Sequence, residues 1–175
     1  MESGVAAQVT TREAAIERLE ASIASRNATI GIVGLGYVGL PLAVAVSAAG
    51  FPVLGFDVDP AKVADLAAGR SYIRQVAPEA ILRLNEGGRF AATSDLARLG
   101  EADAILICVP TPLGRHREPD LGFVARTTEA IAATLRPGQL VVLESTTYPG
   151  TTDEVVRPIL ERTGLRSGTD FLLAY

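Results

Sequence analysis

The chain has 175 residues, of which 48% are hydrophobic, and its formal net charge is −4. This length suits a single domain with a well-formed core, and the acidic balance argues against nucleic acid or anionic lipid as a partner. No membrane partner and a cytoplasmic location are expected, since no apolar run approaches the roughly 18 residues of a membrane span, no secretory signal opens the chain, and one cysteine permits no internal disulfide.

An amphipathic helix is predicted before the first strand. The spacing Thr10-x-x-Glu13 is a capping box, which predicts a helix that ends near Ser25. Its apolar side chains recur on one face: Ile16, Leu19 and Ile23. We expect this face to pack on the domain itself rather than on a partner. Residues 1–27 are therefore predicted to be a helical extension, and residues 28–175 the main domain.

A glycine-rich turn follows the first predicted strand, which is the apolar run at residues 30–33. The turn reads Gly34-x-Gly36-x-x-Gly39. In a dinucleotide-binding turn the first glycine allows the sharp exit from the strand, the second lets backbone approach a pyrophosphate, and the third lets the helix pack closely. The phosphates then lie at the helix N-terminus, where free N–H groups favour an anion. The pattern favours a dinucleotide site over an ordinary glycine turn.

An acidic residue ends the second predicted strand, residues 52–57. Asp57 lies 23 residues after Gly34, close to the spacing of about 20 expected for a carboxylate that binds ribose hydroxyls. Such a carboxylate would repel the 2′-phosphate of NADP, and no arginine immediately follows Asp57. The pattern therefore predicts NAD rather than NADP, while the glycines alone leave FAD as a less favoured alternative.

Helices and strands alternate through the rest of the chain. Helical patterns are predicted at residues 37–49, 60–68, 78–85, 94–100, 121–135 and 150–162. Further strands are predicted at residues 89–93, 102–109, 140–143 and 171–174. This βαβ alternation implies an α/β fold, a Rossmann-type doubly wound parallel sheet with right-handed crossovers. No repeat or low-complexity linker divides it, so one domain is expected.

Two unusual loops follow predicted strands, at residues 109–112 and 144–152. Ligands of an open parallel sheet bind beyond the carboxyl ends of its strands. The first loop places Thr111 between two prolines, and the second clusters hydroxyl groups before a predicted helix. A role in the cleft is one interpretation. Stiffening of the turn and helix capping are the other.

The cysteine and the histidine are weaker candidates for chemistry. Cys108 ends an apolar strand pattern, so it is expected to be a small core residue. His116 stands between Arg115 and Arg117, and a lone histidine is a poor metal ligand. A surface loop is expected for His116, and no metal site is predicted.

Three segments together resemble the UDP-glucose/GDP-mannose dehydrogenase family. They are residues 31–41, 107–113 and 144–152, and the resemblance covers about residues 28–175. Within the family, residues 69–73 and 117–120 look most like UDP-N-acetylglucosamine 6-dehydrogenases. The enzymes for UDP-glucose and UDP-N-acetylmannosamine are alternatives. The resemblance implies that a UDP-sugar is oxidised from C6 alcohol to carboxylate with two NAD.

The resemblance also implies roles for individual residues. The cofactor-binding set is Gly34, Gly36, Tyr37, Val38 and Gly39 at the pyrophosphate, Asp57 and Lys62 at the adenosine ribose and its phosphate, and Pro110 and Thr111 beside the nicotinamide. Thr146 belongs to the same cofactor-binding set, and it also matches a threonine that in this family helps to position a catalytic water near the nicotinamide.

The family's catalytic cysteine has no counterpart here. Aldehyde oxidation by hydride transfer proceeds most easily through a thiohemiacetal, which needs a reactive thiol. The family carries that thiol in a later domain, together with the central helix and UDP-sugar domain that this chain lacks. The chain alone is therefore expected to bind NAD without turnover, and the full-length protein to be a homo-oligomer. The alternatives are a stand-alone dinucleotide-binding module and another Rossmann dehydrogenase, such as a 3-hydroxy-acid type.

Overall fold

Six short strands and their connecting helices form the part of the chain that the computed structural model describes, residues 14–113 and 119–175. The strands are β1 Ile30–Val33, β2 Val53–Phe56, β3 Phe90–Thr93, β4 Ala104–Ile107, β5 Leu140–Leu143 and β6 Leu172–Ala174. The helices are α1 at residues 14–24, α2 Gly39–Ala48, α3 Pro60–Ala67, α4 Pro78–Glu86, α5 Gly122–Ala132 and α6 Arg157–Glu161. A 3₁₀ turn spans Leu96–Glu101, and a π-helical turn spans Thr152–Val156.

All six strands are parallel, in the order β3-β2-β1-β4-β5-β6. Strand β1 lies in the middle of the sheet. Strands β2 and β3 follow on one side of it, and β4, β5 and β6 follow on the other. In register, Val33 of β1 lies between Phe56 of β2 and Ile107 of β4. This order confirms the predicted doubly wound Rossmann-type sheet. Strand order reverses between β1 and β4, so a crevice opens where these two strands end.

The sheet is covered on both faces by apolar side chains. Alternate residues of a strand point to opposite faces, so Ile32 joins Leu40 of α2 in one cluster. Its neighbour Val33 joins Val124 of α5 and Val156 in the other. Burial on both faces explains why the strands read as continuous apolar runs rather than alternating ones.

The N-terminal helix packs partly on the domain. Ala15 and Leu19 are buried, while Ile23 remains 37% exposed. The predicted capping box, Thr10 to Glu13, and the predicted surface histidine, His116, lie outside the described residues. The extension over residues 1–27 stays a prediction. Among the residues that the structure describes, no helix combines the length and apolarity that a membrane span requires.

Three predicted helical regions differ in their details. Helix α2 begins at Gly39 rather than residue 37, because residues 36–38 form a turn. The region after Ser94 is a 3₁₀ turn, in which the Ala97 N–H donates to Asp95 Oδ1. The last region opens with the π-helical turn. Pro158 follows near the start of α6, which continues directly from the π-helical turn, so its missing N–H interrupts the hydrogen-bond ladder of the helix there.

Two glycines allow a close backbone approach between β1, β4 and α2. Gly34 has φ +92°, and a Cβ there would lie 2.7 Å from the carbonyl oxygen of Cys108. A Cβ on Gly39 would overlap the carbonyl oxygen of Gly34 and lie 3.2 Å from Ile32 Cγ2. The start of α2 is therefore seated directly on the end of β1.

We expect Gly39→Ala to destabilise the fold, because its methyl group cannot be accommodated without moving α2. Overpacking of this kind typically costs about 1–3 kcal/mol of unfolding free energy. Urea unfolding followed by circular dichroism measures the loss. Gly36→Ala is the matched control, since a Cβ at Gly36 meets no atom within 4 Å. Equal midpoints for Gly39→Ala and the wild type would contradict the close-packing argument.

Candidate functional site

A cleft of about 960 Å³ opens at the carboxyl ends of the strands. Nine residues of the predicted cofactor-binding set line it: Gly34, Gly36, Tyr37, Val38, Asp57, Lys62, Pro110, Thr111 and Thr146. Gly39 is the exception. It is buried below the cleft, where it packs against the Gly34 carbonyl, and its contact with the pyrophosphate stays a prediction.

The glycine turn presents free backbone donors to this cleft. Within residues 14–113 and 119–175, the N–H groups of Gly36, Tyr37 and Val38 donate no hydrogen bond. The carbonyls of Gly36 and Val38 already accept from the first turns of α2. The first N–H groups of a helix lack partners within the helix and favour an anion. A cleft lined by these donors and by a glycine without side chain therefore fits a pyrophosphate.

The Asp57 carboxylate is held at the end of β2. It is 6% exposed, and its Oδ2 accepts hydrogen bonds of 3.0 Å from the Leu35 N–H and from Lys62 Nζ. Its Oδ1 accepts from the Asp59 N–H at 3.0 Å. A carboxylate offers about four acceptor sites, and three are used here. One remains for a hydroxyl group in the cleft.

The two loops after β4 and β5 are tied to each other. Thr111 Oγ1 donates to the Thr146 carbonyl at 2.7 Å, and Ser145 Oγ donates to the Val109 carbonyl at 2.8 Å. The start of the π-helical turn has no side-chain cap. The hydroxyl groups of Thr111 and Ser145 therefore do not cap the following helix. They hold the two loops together at the wall of the cleft instead.

Cys108 lies at the floor of the cleft as a buried, free thiol. This confirms the core position predicted for it. Burial, with a smaller effect of the Glu144 carboxylate, raises the pKa of Cys108 to about 12. A thiol nucleophile reacts as the thiolate, so Cys108 remains unreactive at neutral pH.

Several cleft residues were not predicted from the sequence. Phe123 and Arg126 of α5 line the cleft, and the guanidinium lies 4.8 Å from the ring centroid of Phe123. In the described ranges Arg126 makes no ion pair or hydrogen bond, which leaves its donors open to a ligand. Their i, i+3 spacing places both on one helix face, but the pattern alone does not tell which face meets the cleft. Tyr72 also lines it.

No group of three or more histidine, cysteine, aspartate or glutamate side chains suited to a metal ion occurs in the described ranges.

The comparison with known families identifies the domain. Residues 28–175 match the UDP-glucose/GDP-mannose dehydrogenase family, NAD binding domain. The chain belongs to this family. It corresponds to the family's NAD-binding domain, so its cofactor is NAD. The contacts of the glycine turn and Asp57 with NAD stay a prediction.

Individual members of the family resemble the chain over most of its length. The UDP-N-acetyl-D-glucosamine 6-dehydrogenase of Pseudomonas aeruginosa is 37% identical over 147 residues, 83% of this chain and 34% of that protein. The UDP-N-acetyl-D-mannosamine dehydrogenase of Pyrococcus horikoshii is 36% identical over 149 residues, 83% of this chain and 35% of that protein. The chain thus spans about a third of the length of the curated relatives that it matches.

Solved structures agree with the family assignment. The NDP-N-acetyl-D-galactosaminuronic acid dehydrogenase from Methanosarcina mazei Go1 superposes with a TM-score of 0.78 at 35% identity, covering 89% of this chain and 36% of that one.

We expect Cys108 to resist alkylation in the native protein, because the thiol with its pKa near 12 stays protonated. Iodoacetamide at pH 8.5 followed by mass spectrometry should show almost no adduct without denaturant and complete modification in urea. The raised pKa of Cys108 also makes the free energy of unfolding fall as pH rises above about 8.5. Above this pH the thiol ionises in the unfolded chain but stays protonated in the folded one. Native modification at the rate of a free cysteine would contradict this burial.

Proposed function

We propose that the chain is the NAD-holding part of a UDP-sugar 6-dehydrogenase. The reaction oxidises the C6 alcohol to a carboxylate in two hydride transfers, so one alcohol, one water and two NAD⁺ give one carboxylate, two NADH and three protons. The named relatives act on UDP-N-acetyl-hexosamines, which supports this substrate class. UDP-N-acetylglucosamine is favoured because the segment at residues 69–73 resembles its enzymes. UDP-N-acetylmannosamine and UDP-glucose are the alternatives.

The proposal rests on one observation: the same cleft contains backbone N–H groups that have no acceptor within the described residues, and a buried carboxylate, that of Asp57. The N–H groups at residues 36–38 would bind the pyrophosphate, and Asp57 with Lys62 would bind the adenosine ribose and its neighbouring phosphate. This order leaves the nicotinamide at the far wall, beside Pro110 and Thr111. Thr146 would then help to place water for the second oxidation step.

The chain's own thiol is unsuited to the aldehyde step. Oxidation through a thiohemiacetal needs a thiolate near the nicotinamide, and Cys108 is buried and protonated. We propose that the reactive thiol, most of the UDP-sugar site and the oligomer contacts belong to the two thirds that the longer relatives carry in addition. The cytoplasmic location stays a prediction from composition.

This chain should bind the cofactor without catalysing the reaction. We expect the 175-residue chain to bind NAD in isothermal titration but to produce no NADH from UDP-N-acetylglucosamine, UDP-N-acetylmannosamine or UDP-glucose, monitored at 340 nm. The protein encoded by the whole gene, assayed in parallel, is the positive control. NADH production by the 175-residue chain alone would overturn the proposal that turnover needs a further part of the protein. Binding without turnover by the whole gene product would favour a stand-alone binding module.

Asp57→Ala should weaken NAD binding at least about tenfold, since a lost hydrogen bond between a charged group and its partner costs about 1.5–3 kcal/mol. The variant should also narrow the preference for NAD over NADP, because the negative charge facing the 2′-phosphate is removed. Isothermal titration with both cofactors measures the two effects. Glu101→Ala is the matched control, because Glu101 pairs with Arg98 on the surface and neither residue lines the cleft. Unchanged NAD affinity in Asp57→Ala would exclude the ribose contact.

A further inference from the structure

Leu35, between the first two glycines of the turn, is fixed on three sides. Its N–H donates to Asp57 Oδ2 at 3.0 Å, and its carbonyl accepts from the Tyr72 hydroxyl at 2.8 Å. Its side chain is fully buried, and both of its methyl groups lie 3.0 Å from the position a Cβ would take on Gly55. Both peptide groups that flank Leu35 therefore have a side-chain partner from outside the turn.

The bond from Tyr72 has a geometric consequence for the next residue. The Leu35 carbonyl and the Gly36 N–H belong to one planar peptide group, and in a trans peptide they point in opposite directions. With the carbonyl turned to Tyr72, the Gly36 N–H must point the other way. Gly36 lines the cleft, and its N–H has no acceptor among the described residues.

We propose that Tyr72 is a positioning residue for the cofactor pyrophosphate, acting through the peptide group between Leu35 and Gly36. This inference rests on the proposed placement of NAD. Tyr72 does not have to contact the pyrophosphate itself. It selects the orientation of the peptide whose N–H does.

The segment that carries Tyr72 is itself well anchored. Ile73 and Val76 are buried beside it, and Ser71 Oγ donates to the Ile73 carbonyl at 3.0 Å. The Tyr72 ring also faces Lys62 Nζ, 5.9 Å from its centroid. The hydroxyl is thus held in place before any ligand binds.

Tyr72 also keeps its proton. Burial, followed by the nearby carboxylates of Asp57, Asp65 and Asp59, raises the pKa of Tyr72 well above the ordinary value of a phenol. The hydroxyl therefore remains a donor to the Leu35 carbonyl over the whole range in which the protein would be assayed.

Tyr72→Phe isolates this hydroxyl, because the ring and its contact with Lys62 are retained. Binding of NAD, ADP-ribose and adenosine to the 175-residue chain is measured by isothermal titration, with NMR titration for the weakly binding adenosine. We expect NAD and ADP-ribose to bind about three- to tenfold more weakly, the net effect of one hydrogen bond. Adenosine lacks a pyrophosphate, so its affinity should change less than twofold.

The same experiment distinguishes a failure of the proposed NAD placement from a failure of the positioning role of Tyr72. Tyr175→Phe removes a phenol hydroxyl from an exposed residue, 74% accessible, and should leave all three affinities unchanged. If wild-type chain does not bind NAD, the proposed placement fails before Tyr72 is tested. If wild type binds NAD and Tyr72→Phe binds NAD equally well, the positioning role is wrong. An equal loss for adenosine would also overturn it, because the hydroxyl would then support the ribose side or the fold in general.

Discussion

The contact between the backbones of Gly34 and Gly39 is the constraint on which the site depends. Any side chain at Gly39 would collide with the Gly34 carbonyl, so only glycine lets α2 begin directly above the end of β1. Gly34 in turn lies against the Cys108 carbonyl at the end of β4. Because one turn touches both central strands, the N–H groups of residues 36–38, which have no acceptor within the described ranges, open into the crevice where strand order reverses.

The two sides of the cleft differ in the kind of charge that they present to a ligand. The glycine turn offers only the partial positive charges of N–H groups and a helix N-terminus, which suit an anion and require no charged side chain. At the end of β2, the Asp57 charge is balanced by Lys62 at 3.0 Å. One acceptor site of the Asp57 carboxylate remains for a hydroxyl group, whereas an ionised 2′-phosphate has no proton to donate to it. A dinucleotide with free ribose hydroxyls matches this arrangement better than one with a 2′-phosphate.

Local sequence patterns predicted what depends on local geometry. The glycine turn, the strand that ends in Asp57 and the parallel order of the sheet follow from spacing and βαβ alternation. The sequence of the hydroxyl-rich loops allows two interpretations, because only the fold shows that the Thr111 hydroxyl donates to the Thr146 carbonyl rather than to a helix end. Tyr72 was missed as a partner of the glycine turn for the same reason. Its segment has no regular periodicity, and its acceptor lies 37 residues earlier in the chain.

Rigidity is the property that these contacts share. The loops after β4 and β5 are joined by two hydrogen bonds, Leu35 is held on three sides, and Asp57 is bonded to the turn that it faces. A site whose donors are already oriented loses less conformational entropy when a ligand binds. The cleft can therefore hold a flexible dinucleotide in one conformation with few charged contacts. Such a fixed cofactor is what hydride transfer in general requires, since the nicotinamide and the reacting carbon must meet in a defined geometry.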